Sequence, residues 1–359
     1  MYKRITLKIG SNVLTLSDGH PNEPRIARLV EQVVALREKG VEVLLISSGA
    51  VASGRKLINA PKDSDAVSCR QLWAAVGQVY LIRLYSELFT RHQIICSQVL
   101  ATKEDFRDRR HFLNMRNCLQ TLLRNQVVPV INENDVVSVN ELMFTDNDEL
   151  SGLITDMMGS DALIILSNID GIYDGLPSNP ASKVIPVIEP EQNTVSKYIA
   201  PVQSTFGRGG MLTKFAIAKR VAASGTPVHI ANGFTENILP DIISEKAGTV
   251  QTYFKPGRKT TTFKKWLAHS QTMVKGTVHI NQGAVERLTG QQAASLLLVG
   301  VTAIDGDFLN GDVVRIVDEQ GKPVGLGRSE YNADTARNKT GERNNKPLIH
   351  YDYLYLNQE

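Results

Sequence analysis

The stretch ITLKIGSN, residues 5–12, decides the fold class of this chain. Residues 5–9 form a short, largely apolar and β-branched run, as expected for a strand that is buried on both faces of a sheet. Gly10, Ser11 and Asn12 follow at once, and small polar residues in this position predict a turn. In open α/β sheets, ligands bind where parallel strands end. The stretch therefore predicts a parallel strand with a candidate ligand site at its carboxyl end.

The same kind of apolar run recurs through the first 255 residues. Further strands are predicted at residues 41–47, 93–99, 127–131, 161–167 and 227–231. Helical patterns lie between several of them, at residues 26–39, 66–90, 111–124, 147–158 and 211–224. Strands that alternate with helices predict an α/β fold with a mainly parallel sheet flanked by helices.

The pattern changes after residue 255, where the segment KPGRKTTT interrupts the alternation. Residues 256–272 are predicted to be a linker. From 273 to 355, strand runs are bounded by Gly and Asp-Gly turns, with one short helix near 283–290. This predicts a first domain at 1–255 and a small, mostly β second domain at 273–355.

Composition excludes several classes of protein. With 42% hydrophobic and 21% charged residues among 359, the chain has the composition of a globular protein. The net charge of +3 argues neither for nor against nucleic acid. The three cysteines form no CxxC pair, which favours reduced thiols and a cytoplasmic protein. The N-terminus does not resemble a signal peptide, and no apolar run reaches membrane-spanning length.

Polar residues end four of the predicted strands. They are Gly10 and Ser11, Ser47 and Ser48, Asn132 to Asp135, and Ser167 and Asn168. Each pattern alone is typical of an ordinary turn, and a lysine such as Lys8 is usually a solvated charge. Their recurrence at the ends of strands in one sheet favours an anion site, since small residues let backbone N–H groups approach a ligand.

A glycine cluster, GRGGMLTK at 207–214, precedes the last predicted helix of the first domain. It matches neither GxxxxGK[ST] nor GxGxxG, so a flexible loop and a phosphate cradle both stay open. Lys214 would lie in the first helical turn, where a cation opposes the helix dipole. A lysine there is better explained if it faces a bound anion. The sequence has no GxSxG, HExxH or CxxC motif for other catalytic classes.

The acidic stretch FTDNDELSG, 144–152, has three readings: a metal loop, a solvated turn or part of an active site. A calcium loop needs Asp-x-Asp-x-Asp-Gly and a later glutamate, which this stretch lacks. Helix-forming residues follow Asp148 directly. The stretch is therefore predicted to begin a helix, with Asp146 or Asn147 near the cap.

Seven of these segments occur in an order that resembles the glutamate 5-kinase family, which has the amino acid kinase fold. They are KIGSNVLT, SSGAVASG, QLWAAVGQ, VVPVINENDVV, TDNDELSG, SNIDGIY and GRGGMLTK. The segment that begins at GAVERLTG, residue 283, is similar to a PUA domain, which bacterial members of this family often carry. The resemblance covers nearly the whole chain.

The resemblance implies ATP-dependent phosphorylation of the glutamate γ-carboxylate to glutamyl 5-phosphate, the first step of proline biosynthesis. Lys8, Lys214 and Asp148 are the implied catalytic residues, with Asp148 organising the two lysines. Ser48, Asp135 and Asn147 match glutamate-binding positions, and Asn132 and Asn134 are assigned to the same site. ATP-binding positions are implied at Lys8, Gly10, Ser11, Ser167, Asn168, Arg208, Gly209, Gly210, Met211, Leu212, Thr213 and Lys214.

Two departures from the family pattern bear on nucleotide contacts. Many relatives have an aspartate where this chain has Asn168, and the 207–210 loop contains Arg208 and is about a residue shorter. Mg²⁺ is expected with ATP, but no residue is assigned to it. The resemblance also implies inhibition by proline, homo-oligomers (dimers or tetramers) and hand-off of a labile product to glutamate-5-semialdehyde dehydrogenase.

Two alternatives stay open. One is another amino acid kinase, acting on aspartate, acetylglutamate, carbamate or UMP. The other is an RNA-binding protein whose kinase-like domain is secondary, because PUA domains elsewhere commonly bind RNA. RNA binding is not expected here, since residues 273–355 have no concentrated basic stripe and no set of stacking aromatics.

Overall fold

The computed structural model describes residues 2–59, 61, 63, 65–107, 109–138, 146–177, 179–190, 210–258, 274–290, 294–343 and 345–356. The chain divides into two compact units, Met1–Lys259 and Thr260–Glu359. Most of the predicted linker, 256–272, lies outside the described residues, and the boundaries of the domains stay predictions.

The first unit is built on an eight-stranded sheet. Its strands are β1 Arg4–Ile9, β2 Glu42–Ile46, β3 Cys96–Ala101, β4 Val128–Glu133, β5 Ala162–Ser167, β6 Val187–Ile188, β7 Val228–Asn232 and β8 Thr252–Phe254. Their order is β3-β4-β2-β1-β5-β7-β8-β6. Every neighbouring pair is parallel except β7 and β8. The predicted mainly parallel sheet is confirmed, whereas β6 and β8 were missed because two or three residues are too short to show a periodic pattern.

Nine helices of the first unit are described. They are α1 Ser11–Leu14, α2 Glu23–Glu38, α3 Ala50–Leu57, α4 Ala66–Thr90, α5 Glu104–Arg107, α6 Arg109–Arg124, α7 Asn147–Met158, α8 Met211–Ala223 and α9 Ile238–Ile243. The five predicted helices correspond to α2, α4, α6, α7 and α8. The four that were not predicted have four to eight residues, which is too few for a clear amphipathic pattern.

Alternate side chains of β1 lie on opposite faces of the sheet, one in the hydrophobic core and the other toward α7. Ile5, Leu7 and Ile9 are at most 1% exposed and belong to the largest hydrophobic cluster. Because successive side chains of a strand point to opposite faces, Thr6 and Lys8 lie on the other face. Thr6 Oγ1 contacts Ser160 Oγ, just beyond the C-terminus of α7, and Lys8 reaches Asp148 near the N-terminus of that helix. The strand therefore carries its lysine toward α7.

Helices α3 and α4 pack at backbone contact. A Cβ added at Gly77 would lie 1.8 Å from the carbonyl oxygen of Ala50, and one at Gly54 would lie 1.8 Å from that of Trp73. No side chain fits at either position, because real atoms do not approach so closely. The two glycines therefore hold α4 against the first turn of α3, which begins directly after the end of β2.

The second unit contains a five-stranded sheet of order β10-β9-β11-β12-β13. Its strands are β9 Gly276–Ile280, β10 Val301–Gly306, β11 Val313–Val317, β12 Pro323–Arg328 and β13 Leu354–Leu356. The β9 and β11 pair is parallel and the others are antiparallel. A helix at Gln282–Thr289 confirms the predicted short helix. Leu298–Gly300, predicted within a strand, forms a 3₁₀ turn.

No described helix in either unit has the length and apolar character needed to span a bilayer.

Candidate active site

The carboxyl ends of four adjacent parallel strands carry the predicted site residues. β4, β2, β1 and β5 are neighbours in the sheet, and they end at Glu133, Ile46, Ile9 and Ser167. The polar residues that follow these strands therefore lie along one edge, which is where open α/β sheets bind ligands.

Asp148 joins two lysines that are far apart in the sequence. Its Oδ1 lies 2.6 Å from Lys8 Nζ and its Oδ2 lies 3.0 Å from Lys214 Nζ. Asp148 is 0% exposed, and Lys8 and Lys214 are 4% and 8% exposed. One carboxylate thus holds two lysine ammonium groups together in a buried site at the strand ends.

Charge and burial shift these groups in different directions. Burial by itself would raise the pKa of Asp148, but the charges and hydrogen bonds of Lys8 and Lys214 outweigh it and hold this pKa at about 2. Burial lowers the pKa of Lys8, and the charge of Lys214 lowers it further, against the opposing effect of Asp148. Burial also lowers the pKa of Lys214, but the charge and hydrogen bond of Asp148, together with the charge of Asp146, outweigh burial and raise this pKa. Asp148 is therefore ionised at neutral pH.

The N-terminus of α7 orients Asp148. Asp146 is the N-cap residue, and its Oδ1 accepts hydrogen bonds from the backbone N–H groups of Asp148 at 2.9 Å and Glu149 at 3.1 Å. The predicted cap is confirmed, although the side chain is buried. Burial and the charge of Asp148 raise the pKa of Asp146 to about 6. Glu149 instead pairs with Lys103 at 3.2 Å.

Asn147 connects the ends of two strands, β2 and β4, through one amide nitrogen. Its Nδ2 donates to the carbonyl oxygen of Ser47 at 2.9 Å, to Ser48 Oγ at 3.0 Å and to Asn132 Oδ1 at 2.9 Å. Asn132 in turn donates from Nδ2 to Gln78 Oε1 at 2.8 Å. The structure therefore brings together the predicted residues Ser48, Asn132 and Asn147, and adds Gln78.

A cavity of about 280 Å³ adjoins this amide network. Its lining includes Gln78, Glu133, Asn134 and Asp135. Arg70 donates to Asp135 Oδ1 from Nη2 and Nε, and its Nη2 lies 3.9 Å from Glu133. Burial raises the pKa of Asp135, and the charge of Arg70 opposes that rise. Asp135 also shares a side-chain hydrogen bond with Glu133, so two carboxyl groups lie beside one guanidinium on this wall of the cavity.

Backbone groups dominate the other side of the site. The N–H of Gly10 donates to the carbonyl oxygen of Leu166 at 2.9 Å, and a Cβ at Gly10 would lie 3.1 Å from that oxygen and 3.9 Å from Lys8 Nζ. Ser11 begins α1, and Ser167 ends β5 with Oγ 3.5 Å from Asn168 Oδ1. The backbone at Gly10 therefore lies between the ends of β1 and β5, close to the ammonium group of Lys8.

Helix α8 brings the other lysine from a distant segment. Gly210 is its N-cap, and Met211, Leu212 and Thr213 precede Lys214 in the first turn. Lys214 faces Asp148, whereas the side chain of Leu212 is 41% exposed. Arg208 and Gly209, which were assigned to ATP, lie outside the described residues.

Sequence reasoning missed Gln78, Arg70 and the burial of Asp146. Gln78 lies in the QLWAAVGQ segment next to Gly77, and a glycine within a helical pattern is a signal of close packing. Nothing in the sequence pattern alone indicates that Arg70 would reach Asp135. In the part of the chain that is described, no group of three or more His, Cys, Asp or Glu side chains is arranged to hold a metal ion.

Comparisons with known proteins identify the family of each unit. The sequence model of the amino acid kinase family matches residues 3–232, and that of the PUA domain matches residues 276–349. The chain is 52% identical over 356 residues to glutamate 5-kinase from Bacteroides thetaiotaomicron, with 99% of each chain covered. It is 47% identical over 358 residues to glutamate 5-kinase from Chlorobaculum tepidum, covering 99% of this chain and 98% of the relative.

One solved structure shows the fold of the first unit. Carbamate kinase from Giardia lamblia, bound to AMP-PNP, superposes with a TM-score of 0.51 at 16% identity. The match covers 71% of this chain and 98% of the carbamate kinase. At this identity the likeness concerns the fold alone.

Proposed function

Because this chain belongs to the amino acid kinase family, we propose that its strand-end site transfers the γ-phosphoryl group of ATP to the γ-carboxylate of L-glutamate. The product is L-glutamyl 5-phosphate, the first intermediate of proline biosynthesis. The chain is an enzyme, a phosphotransferase with a carboxyl group as acceptor. The observation that carries the assignment of the site is the buried bridge of Lys8, Asp148 and Lys214.

The chemistry requires charge stabilisation and no general base. A γ-carboxylate has a reference pKa of about 4.3, so the nucleophile is ionised at neutral pH. The barrier comes from bringing an anion onto a polyanion and from charge that spreads over the transferring phosphoryl group. Preorganised cations lower that barrier. Lys8 and Lys214 are the two buried cations at the strand ends, and we assign them to the transferring group.

Asp148 acts through the lysines. Two ammonium groups about 4 Å apart repel by roughly 4 kcal/mol at an effective dielectric of about 20. The carboxylate, within 3.0 Å of both ammonium groups, offsets this repulsion. Asp148 thereby holds both charges in place before ATP enters, so that little reorganisation is needed during the reaction.

Glutamate is assigned to the side of Asn147 and the cavity. Ser48, Asn132 and Asn147 are linked by hydrogen bonds, and Asn134 and Asp135 line the adjoining cavity. The carboxyl oxygens of Glu133 and Asp135 on its wall suit an α-ammonium group. The γ-carboxylate would then point from Asn147 toward the lysines beside Asp148.

ATP is assigned to the side of Gly10 and α8. The N–H of Gly10 is already paired with Leu166, so Gly10 would provide room for the phosphates and Ser11 a backbone donor, while the N-terminus of α8 provides further N–H groups near Lys214. Ser167 and Asn168 complete this side, with Asn168 in the place of a family aspartate. Arg208 to Thr213 are assigned to the same nucleotide by resemblance.

Mg²⁺ is proposed to enter with the nucleotide. This ion keeps several waters and is commonly held through substrate phosphates together with one or two carboxylates. Both oxygens of Asp148 contact lysines, and Asp146 Oδ1 caps α7. The donor set therefore fits an ion that is held mainly by ATP, where it would neutralise part of the phosphate charge.

Further properties are proposed from the resemblance to the family: inhibition by proline, a dimer or tetramer, and hand-off of the labile acyl phosphate to glutamate-5-semialdehyde dehydrogenase. We also propose a cytoplasmic location, where ATP is available. Cys69, Cys96 and Cys118 form no disulfide, which suits a reducing compartment.

Hydroxylamine trapping tests the reaction. Purified protein with Mg-ATP and L-glutamate should form an acyl phosphate that hydroxylamine converts to a hydroxamate, and omission of either substrate should abolish it. Aspartate, acetylglutamate, carbamate and UMP, tested for ADP release under the same conditions, represent the other amino acid kinases. No hydroxamate with glutamate, or faster turnover of another acceptor, would overturn the proposed function.

A further inference from the structure

Gln78 has a buried hydrogen-bond donor with no partner among the residues that the structure describes. The residue is 7% exposed, and its Nε2 has no partner although it is closed off from bulk solvent. A buried polar group left unpaired costs about 1–3 kcal/mol of stability. Such a group in a folded protein calls for an explanation, and a ligand that pairs with it is one.

The N–H of Glu133 and the carbonyl oxygen of Ser47 fix which side-chain atom is nitrogen in the amides of Asn132, Gln78 and Asn147. The N–H of Glu133 donates to one side-chain atom of Asn132 at 2.9 Å, so that atom is the oxygen Oδ1. The other atom, Nδ2, must then donate to Gln78, whose contacting atom is Oε1. The remaining atom of Gln78 is therefore the nitrogen, and the free group is a donor.

The same logic applies at the opposite end of the chain of amides. The Asn147 atom that meets the carbonyl oxygen of Ser47 must be the nitrogen. Its oxygen, Oδ1, is then a buried acceptor without a partner. The amides of Asn147, Asn132 and Gln78 thus form a directional row that ends in an acceptor at Asn147 and a donor at Gln78, each without a partner among the described residues.

The charges of the cavity decide what Gln78 can recognise. Glu133 and Asp135 offer carboxyl oxygens to an ammonium group, and the cation beside them, Arg70, is already paired with Asp135. An α-amino acid carries an ammonium group and a carboxylate on one carbon. Its α-carboxylate therefore needs a donor elsewhere on the cavity wall, and Gln78 lines that wall with an unused donor.

We propose that Gln78 determines substrate specificity by donating a hydrogen bond from Nε2 to the α-carboxylate of the bound amino acid. This inference rests on the proposed function and names a residue outside the set assigned above. The close packing of Gly77 on Ala50 fixes the position of Gln78, because α4 cannot shift without losing that contact. Gln78 then binds the α-carboxylate of the substrate, and the γ-carboxylate reaches Lys8 and Lys214.

The test compares L-glutamate with L-isoglutamine, in which an amide replaces the α-carboxylate and the γ-carboxylate is kept. Gln78→Glu preserves size and the acceptor for Asn132, but replaces the donor by a carboxylate. We expect the ratio of kcat/KM for glutamate to that for isoglutamine to fall by about 10- to 100-fold, the effect of a hydrogen bond to a charged group. The KM for ATP should stay within about twofold of wild type.

Gln32→Glu is the matched control. Gln32 is also 7% exposed and also accepts through Oε1, from the N–H of Leu239, but it lies on α2. This variant should leave the ratio unchanged. Gln78→Met, which removes donor and acceptor without adding charge, carries the test if Gln78→Glu does not fold. Gln78→Met should lower the ratio by about 3- to 10-fold. Loss of the donor weakens binding of the charged α-carboxylate of glutamate more than binding of the neutral α-amide of isoglutamine.

The outcomes separate this inference from the proposed function. Wild-type turnover of glutamate together with an unchanged ratio in both Gln78 variants overturns the role of Gln78 alone. Wild-type activity in Gln78→Glu with loss only in Gln78→Met would show that the residue merely holds Asn132, and it also overturns the donor role. Absence of glutamate turnover in the wild type overturns both.

Discussion

Oδ1 of Asp148 lies 2.6 Å from Nζ of Lys8, and both groups are almost completely buried. A buried ion pair is weak evidence for stability, because removing two charges from water is costly. Here the carboxylate also contacts a second lysine, so two ammonium groups are held side by side at the strand ends. An arrangement of this kind is better suited to receiving phosphoryl oxygens than to stabilising the fold.

Asp148→Asn should remove most of the activity. The neutral amide leaves the repulsion between Lys8 and Lys214 uncompensated, roughly 4 kcal/mol if they remain about 4 Å apart, or about a thousandfold in kcat. Glu149→Gln is the control, because that carboxylate pairs with Lys103 and not with the two lysines. It should change kcat by less than about threefold. Similar losses in the two variants would contradict the assigned role of Asp148.

Lys214→Ala should lower kcat while glutamate binds nearly as before. The charge of Lys214 is assigned to the transition state, and an interaction made only there affects kcat and not substrate affinity. Single-turnover hydroxamate formation and glutamate titration measure the two quantities. Lys103→Ala, which removes a partly buried lysine near the same helix, should leave kcat within a few-fold of wild type. A weaker affinity for glutamate with little change in kcat would show that Lys214 serves binding instead.

Gly77→Ala should destabilise the first unit and impair glutamate use. The added methyl group would lie 1.8 Å from the carbonyl oxygen of Ala50, so α3 and α4 must separate. Overpacking of this kind costs about 1–3 kcal/mol or more. The movement would carry Gln78 away from the cavity and raise the KM for glutamate. Thermal denaturation and steady-state kinetics measure both effects.

Gly283→Ala is the control for that substitution. Gly283 lies in the helix Gln282–Thr289, and an added Cβ would meet only Asn281 Oδ1, at 3.6 Å. Alanine in a helix is favoured over glycine by up to about 1 kcal/mol, so this variant should be neutral or slightly more stable. Equal destabilisation by the two substitutions would show that the α3–α4 contact is not the cause.

Stability should fall below neutral pH because of His229. Burial lowers the pKa of His229 to about 4 from its reference value of 6.5. The unfolded chain then binds this proton first as pH falls, so the stabilisation is complete above about 6.5 and is lost on the way down to about 4. Wild type should lose about 3 kcal/mol relative to His229→Phe, measured as the difference in unfolding free energy between pH 7 and pH 4.

The contribution of Asp146 to stability changes with pH in the opposite direction. It cancels when the unfolding free energies of wild type and His229→Phe are subtracted. With its pKa raised to about 6, its contribution is complete below about 4 and is lost as pH rises through 6. It is present in both proteins and therefore cancels. Tyr2→Phe, which removes only the hydroxyl that contacts His229 Nε2, should keep the pH slope of wild type. A difference between His229→Phe and wild type that is constant with pH would refute the prediction.

The buried strands and long helices could be read from the sequence because their signals are local. Ile5, Leu7 and Ile9 alternate with Thr6 and Lys8, and α2, α4, α6, α7 and α8 each extend over at least three turns. The cap at Asp146 was equally readable, since the acceptor and the N–H groups it binds are within three residues of each other. The short strands β6 and β8 were missed, because their pairing depends on residues distant in the chain.

By itself, the sequence determined the class of fold, the order of its elements and the polar residues at the strand ends. Only the tertiary structure decided that Lys8 and Lys214 meet on one carboxylate, that Arg70 reaches Asp135, and that Gln78 keeps an unpaired donor at the cavity. The physical reason is range. Strand and helix propensity act between near neighbours, whereas burial, ion pairing and the direction of a hydrogen bond depend on which distant segments the packed sheet places side by side.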